Sequence, residues 1–155
     1  MKRLKDMKAM FIVACVFQTI MSGTILLMPL ASSEYSNSRD ILVIVGGIFW
    51  ISFIAGYVSL YRCISLYKKS RYKKTSGPIG MFRFFTGIPA ITSDIILILS
   101  TVLFFIISFT SMRDKYVAYI LLFLVIWSVN MHCMLNGKIY KVIKEKTRRK
   151  SDEKE

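Results

Sequence analysis

Apolar positions in this chain come in four long blocks, separated by short polar stretches. Residues 9–30 (AMFIVACVFQTIMSGTILLMPL) and 41–61 (ILVIVGGIFWISFIAGYVSLY) carry no charge. Residues 88–109 contain a single acid, Asp94, and residues 116–136 contain His132 but no Asp, Glu, Lys or Arg. A helix rises about 1.5 Å per residue, so each block is long enough to cross a hydrocarbon core of about 30 Å. Period-two alternation, the signature of a membrane barrel, is absent, and an open sheet edge has no partner in lipid. The pattern predicts an all-α polytopic membrane protein, a bundle of four transmembrane helices forming one domain over residues 1–150. A connection over residues 62–87 and a disordered, solvated tail over residues 147–155 complete the plan.

Charge orients this plan. The 22 basic residues outnumber nine acids, giving a formal net charge of +13. Four basic residues precede the first block, seven lie between the second and third, and eight follow the fourth, so 19 of 22 share one side. Only Arg39, Arg113 and Lys115 fall in the two short opposite loops. Basic loops are retained in the cytosol, which predicts both termini inside and a location in the cell membrane. Because the lysines and arginines flank apolar blocks, no nucleic-acid partner is expected despite a pI near 9.9. Arg62, Lys68, Lys69, Arg71, Lys73 and Lys74 in the central loop are expected to meet anionic headgroups, each contributing about 1 kcal/mol near the surface. The partner they imply is the lipid bilayer itself. Within that loop, "TSGPIG" breaks the second helix and "MFRFF" returns as a short interfacial segment before the third. Pro89 fits a first helical turn, where its missing donor is not needed.

The first block also invites another interpretation. "MKRLKDMK", an apolar run and "PLASSEYS" are the parts of a cleaved signal peptide, which leaves three spans. At about 22 residues the run exceeds the usual 7–15 of such a peptide, favouring a retained span. "IVAC" at Cys15 matches a lipoprotein box only superficially, with too few apolar residues before it and too many after.

Candidate chemistry is sparse. An acid inside a span is a functional hypothesis by default, which singles out Asp94. If the regular helix begins near Thr92 or Ser93, however, Asp94 is a first-turn acid held by free amides and the helix dipole. His132 is the lone histidine, at a similar depth in the fourth span. Ser128, His132 and Asn136 recur every four residues and share one helical stripe, whereas Asn130 falls on another face. An Asp94–His132 contact, with Asn136 and Asn130 nearby, forms the candidate polar cluster at the cytosolic end. The opposing alternative is an interfacial histidine with an ordinary hydrogen bond. Gln18, Thr19 and Ser22, with Gly46, Gly47, Ser52 and Gly56, are expected to serve helix packing.

Three cysteines, Cys15, Cys63 and Cys133, without a C-x-x-C pair give no disulfide framework and no metal-ligand spacing. No phosphate loop, H-E-x-x-H or nucleophile elbow is present, so neither a cofactor nor a catalytic residue is expected. The absence of a glutamate from the first span sets the chain apart from four-span multidrug exporters. The absence of a cysteine pair does the same for membrane thiol oxidoreductases.

"HCMLNGKIYK", residues 132–141, and "FRFFTGIPAITSDIILILS", residues 82–100, resemble a group of small uncharacterised membrane proteins from low-GC Gram-positive bacteria. The resemblance rests on a histidine followed by Asn-Gly-Lys and then Tyr-Lys after the last span. It implies no activity, and it groups Asp94 with His132 and Asn136. The expected function is therefore non-enzymatic: an accessory, regulatory or immunity-type membrane protein acting through helix contacts, with a membrane-protein partner or as a homo-oligomer. The alternative is a small oligomeric transporter or channel built around Asp94 and His132, with a membrane enzyme third.

Overall fold

The computed structural model describes residues 2–31, 38–69, 79–109 and 115–152, and it contains helices but no strand among them. Helix α1 spans Lys2–Gly23, followed by a 3-10 segment, Thr24–Leu27, and a short helix α2, Met28–Ala31. Helix α3 runs from Ser38 to Lys68, α4 from Ile88 to Phe109, α5 from Lys115 to Leu135 and α6 from Lys138 to Asp152. Four stretches are long and apolar enough to cross a membrane: Leu4–Leu30, Arg39–Lys68, Ile88–Phe109 and Tyr116–Leu135.

Local chemistry explains where these helices bend and stop. Pro29 has no N–H to give, and its ring crowds the carbonyl four residues earlier, so α1 cannot continue unbroken past it. The chain tightens into 3-10 geometry instead, with the Met28 N–H bonded to the Ile25 carbonyl. The Ser22 and Thr24 hydroxyls bond back to the Gln18 and Met21 carbonyls at 2.8 and 2.6 Å, which keeps both polar groups satisfied inside an apolar stretch. At 31 residues, α3 is about 46 Å long and outruns an apolar layer of about 30 Å. Asp40 in its first turn and Lys68 in its last complement the helix dipole.

The helices pack as a row rather than as a closed bundle. Helix α1 lies along α3, α4 lies along α5, and α1 against α5 joins the two pairs. The order across the row is α3, α1, α5, α4, with no substantial α3–α4 contact among the described residues. Small residues set the close approaches. A Cβ on Gly56 of α3 would sit 3.3 Å from both the Phe17 Cβ and the Gln18 side-chain nitrogen of α1. Gly46 and Gly47 have no neighbour within 4 Å, so the small-residue surface expected on this helix is used only around Ser52 and Gly56.

One end of the row carries its densest apolar cluster. Met7 and Phe11 of α1, Cys63 and Tyr67 of α3, Met134 of α5, and Ile139 and Ile143 of α6 are all buried there. The Phe11 and Tyr140 rings stack at 5.9 Å between centroids. Residues 147–152 depart from the disordered tail expected from sequence, because α6 continues to Asp152. Its Ile139 and Ile143 are four residues apart and share a face, so docking that face stabilises a helix most of whose other residues are charged. Arg71, Lys73 and Lys74 lie outside the described residues.

Gly56→Leu is expected to push α1 from α3 and cost about 1–3 kcal/mol by overpacking. Gly47→Leu, in open space, is expected to change little. Thermal unfolding of the two variants in the same detergent checks the pair.

Candidate functional site

The site forms where α4 begins and α5 ends, and the residues that line it are mostly small. On α4, Ala90, Ser93, Asp94 and Ser100 are buried, and on α5 Ser128 is fully buried. Their short side chains let the two helices approach closely enough for a carboxylate on one to reach a ring on the other. Helix α4 starts at Ile88, and the Ile91 N–H bonds to the Gly87 carbonyl at 2.8 Å. Asp94 is therefore in the second turn, which removes the capping explanation: its carboxylate bonds to none of its own helix's first amides.

Asp94 has no solvent exposure, and donors from two other segments converge on it. His132 Nδ1 lies 2.6 Å from Oδ1. The Asn136 side-chain nitrogen donates to Oδ1 at 3.0 Å and reaches Oδ2 at 3.3 Å. The Phe85 backbone N–H donates to Oδ2 at 2.6 Å. Both carboxylate oxygens are thus occupied by groups of the same chain. A buried carboxylate left without such partners would be strongly unfavourable.

The imidazole of His132 is equally engaged. Its Nε2 faces the Met81 carbonyl at 3.2 Å, while Nδ1 faces Asp94. The Met81 carbonyl can only accept, which places a proton on Nε2. Nδ1 also has the Asn136 amide nitrogen 3.1 Å away. The Phe84 ring packs on the imidazole at 4.4 Å between centroids, and His132 is only 4% exposed.

Asn136 ties the third corner. Besides Asp94, its amide nitrogen reaches the His132 carbonyl at 3.3 Å. Its amide oxygen accepts the Thr86 hydroxyl at 2.7 Å and the Thr86 N–H at 3.2 Å. Successive amides of Phe85 and Thr86 thereby serve two different side chains. Phe85 makes this turn in the left-handed region, at φ 57°, a conformation that residues with a Cβ seldom adopt.

Residues 79–87 thus form a strap over the buried cluster. The Gly80 N–H donates to the Cys133 carbonyl at 3.0 Å, satisfying an acceptor in the last turn of α5. A Cβ on Gly80 would overlap the backbone carbonyl of Asn136, so only glycine fits here. Met81 and Phe82 point outward, 65% and 91% exposed. After α5 ends at Leu135, the turn at Asn136 and the bend at Gly137 redirect the chain into α6.

The structure brings Asp94, His132 and Asn136 into one hydrogen-bonded cluster. Asn130 is half-buried on another face of α5 and is not part of it. Arg62, Lys68 and Lys69 are exposed near the same end of the row. The strap residues Gly80, Met81, Phe84, Phe85 and Thr86 were not expected as participants. All but Phe84 act at least partly through main-chain groups, which leave no mark on residue type. "MFRFF" read as apolar was the one available signal.

Asp94→Ala is expected to strand His132 and Asn136 and to cost about 3 kcal/mol in detergent. His132→Ala is expected to cost less than this, and the double variant less than the sum of the two, because the residues share one network. Gly80→Val is expected to lift the strap, read as faster trypsin cleavage at Arg83 with the four long helices intact. Comparison with known proteins finds no family model, no curated protein and no solved structure that matches this chain.

Proposed function

We propose that this chain is a multi-pass protein of the cell membrane, with both termini in the cytosol. It works as an accessory or regulatory component through helix contacts with a larger membrane protein or with further copies of itself. The observation that carries this reading is the saturation of Asp94. An intramembrane carboxylate that transports an ion or proton must exchange partners with a passing substrate. Here both oxygens are bonded to the chain's own donors, and the histidine is shielded beneath Phe84. The pair acts as a fastener that holds α4, α5 and the strap together.

The row of helices supports the same reading. With α3 and α4 at its edges, each has one flank packed and long apolar surface elsewhere. Trp50, Ile51 and Ile54 of α3, and Leu99, Phe105 and Ile106 of α4, are all more than half exposed. Lipid or a partner helix covers such surface equally well, and association between helices in a bilayer proceeds through packing of this kind. The cytosolic assignment rests on the basic residues that cluster at the end bearing Met7, Tyr67 and Ile143.

Gentle detergent extraction from the native host is expected to co-purify a specific membrane-protein partner or a defined homo-oligomer. The purified protein in liposomes is expected to show no ion or solute flux. Flux that Asp94→Asn abolishes, with the helical fold intact, replaces this reading with the transporter. Labelling of single cysteines at either terminus is expected only after the cells are permeabilised.

A further inference from the structure

Beside the buried cluster, on its outer side, lies a cavity of about 460 Å³. Its walls come from the strap at Arg83, Thr86 and Gly87, and from α6 at Lys138, Lys141 and Lys144. Its floor is Asn136 and Gly137, and Leu135 gives one apolar side. Four cationic side chains line it against one carboxylate, Glu145. That carboxylate lies 3.9 Å from Lys141, and both groups are well exposed to solvent. Asp94, the nearest buried acid in the cluster, does not line the cavity.

We propose that this cavity binds a phosphate group, carried by an anionic phospholipid headgroup or present as a free phosphate anion. The volume falls within the range of small-ligand sites, about 300–1,000 Å³. An arginine matches phosphate oxygens with its planar fork, and lysines add compact charge from other directions. Here they arrive from two separate segments, the strap and α6, so they surround a volume rather than form a stripe on one helix. Lys138, Lys141 and Lys144 recur at three-residue intervals, which keeps them on neighbouring faces near the strap. The position fits the same chemistry. Gly87 immediately precedes α4 and Leu135 closes α5, so the cavity opens at the depth where the apolar stretches end and headgroups lie. Ile88, the first residue of α4, is 77% exposed and offers apolar surface to an acyl chain. This site is distinct from the exposed Arg62, Lys68 and Lys69, and it does not depend on the accessory role proposed above.

Native mass spectrometry of the full-length protein in detergent tests the proposal, with phosphatidylglycerol, phosphatidylcholine and inorganic phosphate as probes. Wild-type protein is expected to retain one equivalent of phosphatidylglycerol in preference to phosphatidylcholine. Arg83→Gln/Lys141→Gln/Lys144→Gln is expected to weaken that retention about a hundredfold. Arg62→Gln/Lys68→Gln/Lys69→Gln removes the same charge elsewhere and is expected to leave it within about twofold. Should the first variant lose helical content, Lys141→Gln/Lys144→Gln, which leaves the strap unaltered, takes its place and is expected to weaken binding about thirtyfold. Displacement of the lipid by inorganic phosphate, or direct retention of phosphate, identifies the free anion as a ligand. Lipid retention indifferent to inorganic phosphate identifies the headgroup. Retention of neither probe, or equal losses from both triple variants, overturns the proposal.

Discussion

A carboxylate without solvent access is the constraint from which the rest of this structure follows. Asp94 is wholly enclosed between apolar helices, where no water is at hand to solvate it. Its neighbours must therefore supply donors, and they must do so at short range. Three arrive: an imidazole, a carboxamide and a backbone amide. The first two come from α5 and the turn directly after it, four residues apart, and the third belongs to the strap. Satisfying one acid thus fixes the register of α4 against α5 and the path of the segment between α3 and α4.

Each of those demands propagates. For the imidazole to reach across, the facing positions must be small, and Ala90, Ser93 and Ser128 meet that need. For the strap to reach down, its backbone must lie against the end of α5, and Gly80 permits that approach. Asn136 keeps to the stripe of His132, its N–H still bonded to the His132 carbonyl, and the bend at Gly137 then swings α6 across the row. Ile139 and Ile143 are buried as a result, against Met7, Phe11, Cys63 and Tyr67. A local electrostatic requirement at one helix junction is thereby linked to the apolar cluster that fastens α1, α3, α5 and α6 at this end.

How much of this was legible in the sequence follows from which groups do the bonding. The four apolar stretches were plain, because length and composition alone decide whether a helix can cross lipid. Asp94, His132 and Asn136 also stood out, since polar side chains are rare in such stretches and two of them recur at helical spacing. The strap did not stand out. Main-chain amides of Phe85 and Thr86 and the carbonyl of Met81 are present whatever residue occupies those positions. Gly80 read as a helix breaker, although its role is to let two backbones touch. Helix α6 was hidden by its charge: Ile139 and Ile143 are too few to register as a stripe until the surface they cover is known. The row arrangement was equally illegible, because four apolar helices carry no charge pattern that chooses between a closed bundle and an open one.

The cluster and the cavity beside it share atoms, and that sharing gives the arrangement its most specific consequence. Asn136 donates inward to Asp94 and accepts outward from Thr86, and both Asn136 and Thr86 line the cavity. Arg83 lies two residues before Phe85, whose N–H holds the carboxylate. An anion seated between Arg83 and Lys144 makes its contacts only while the strap is docked, so its binding energy adds to the stability of the docked state. Linkage makes the effect reciprocal: whatever strengthens the Asp94 bonds would also tighten the cavity's hold on such an anion. The buried acid needs no exchange of its own partners for this.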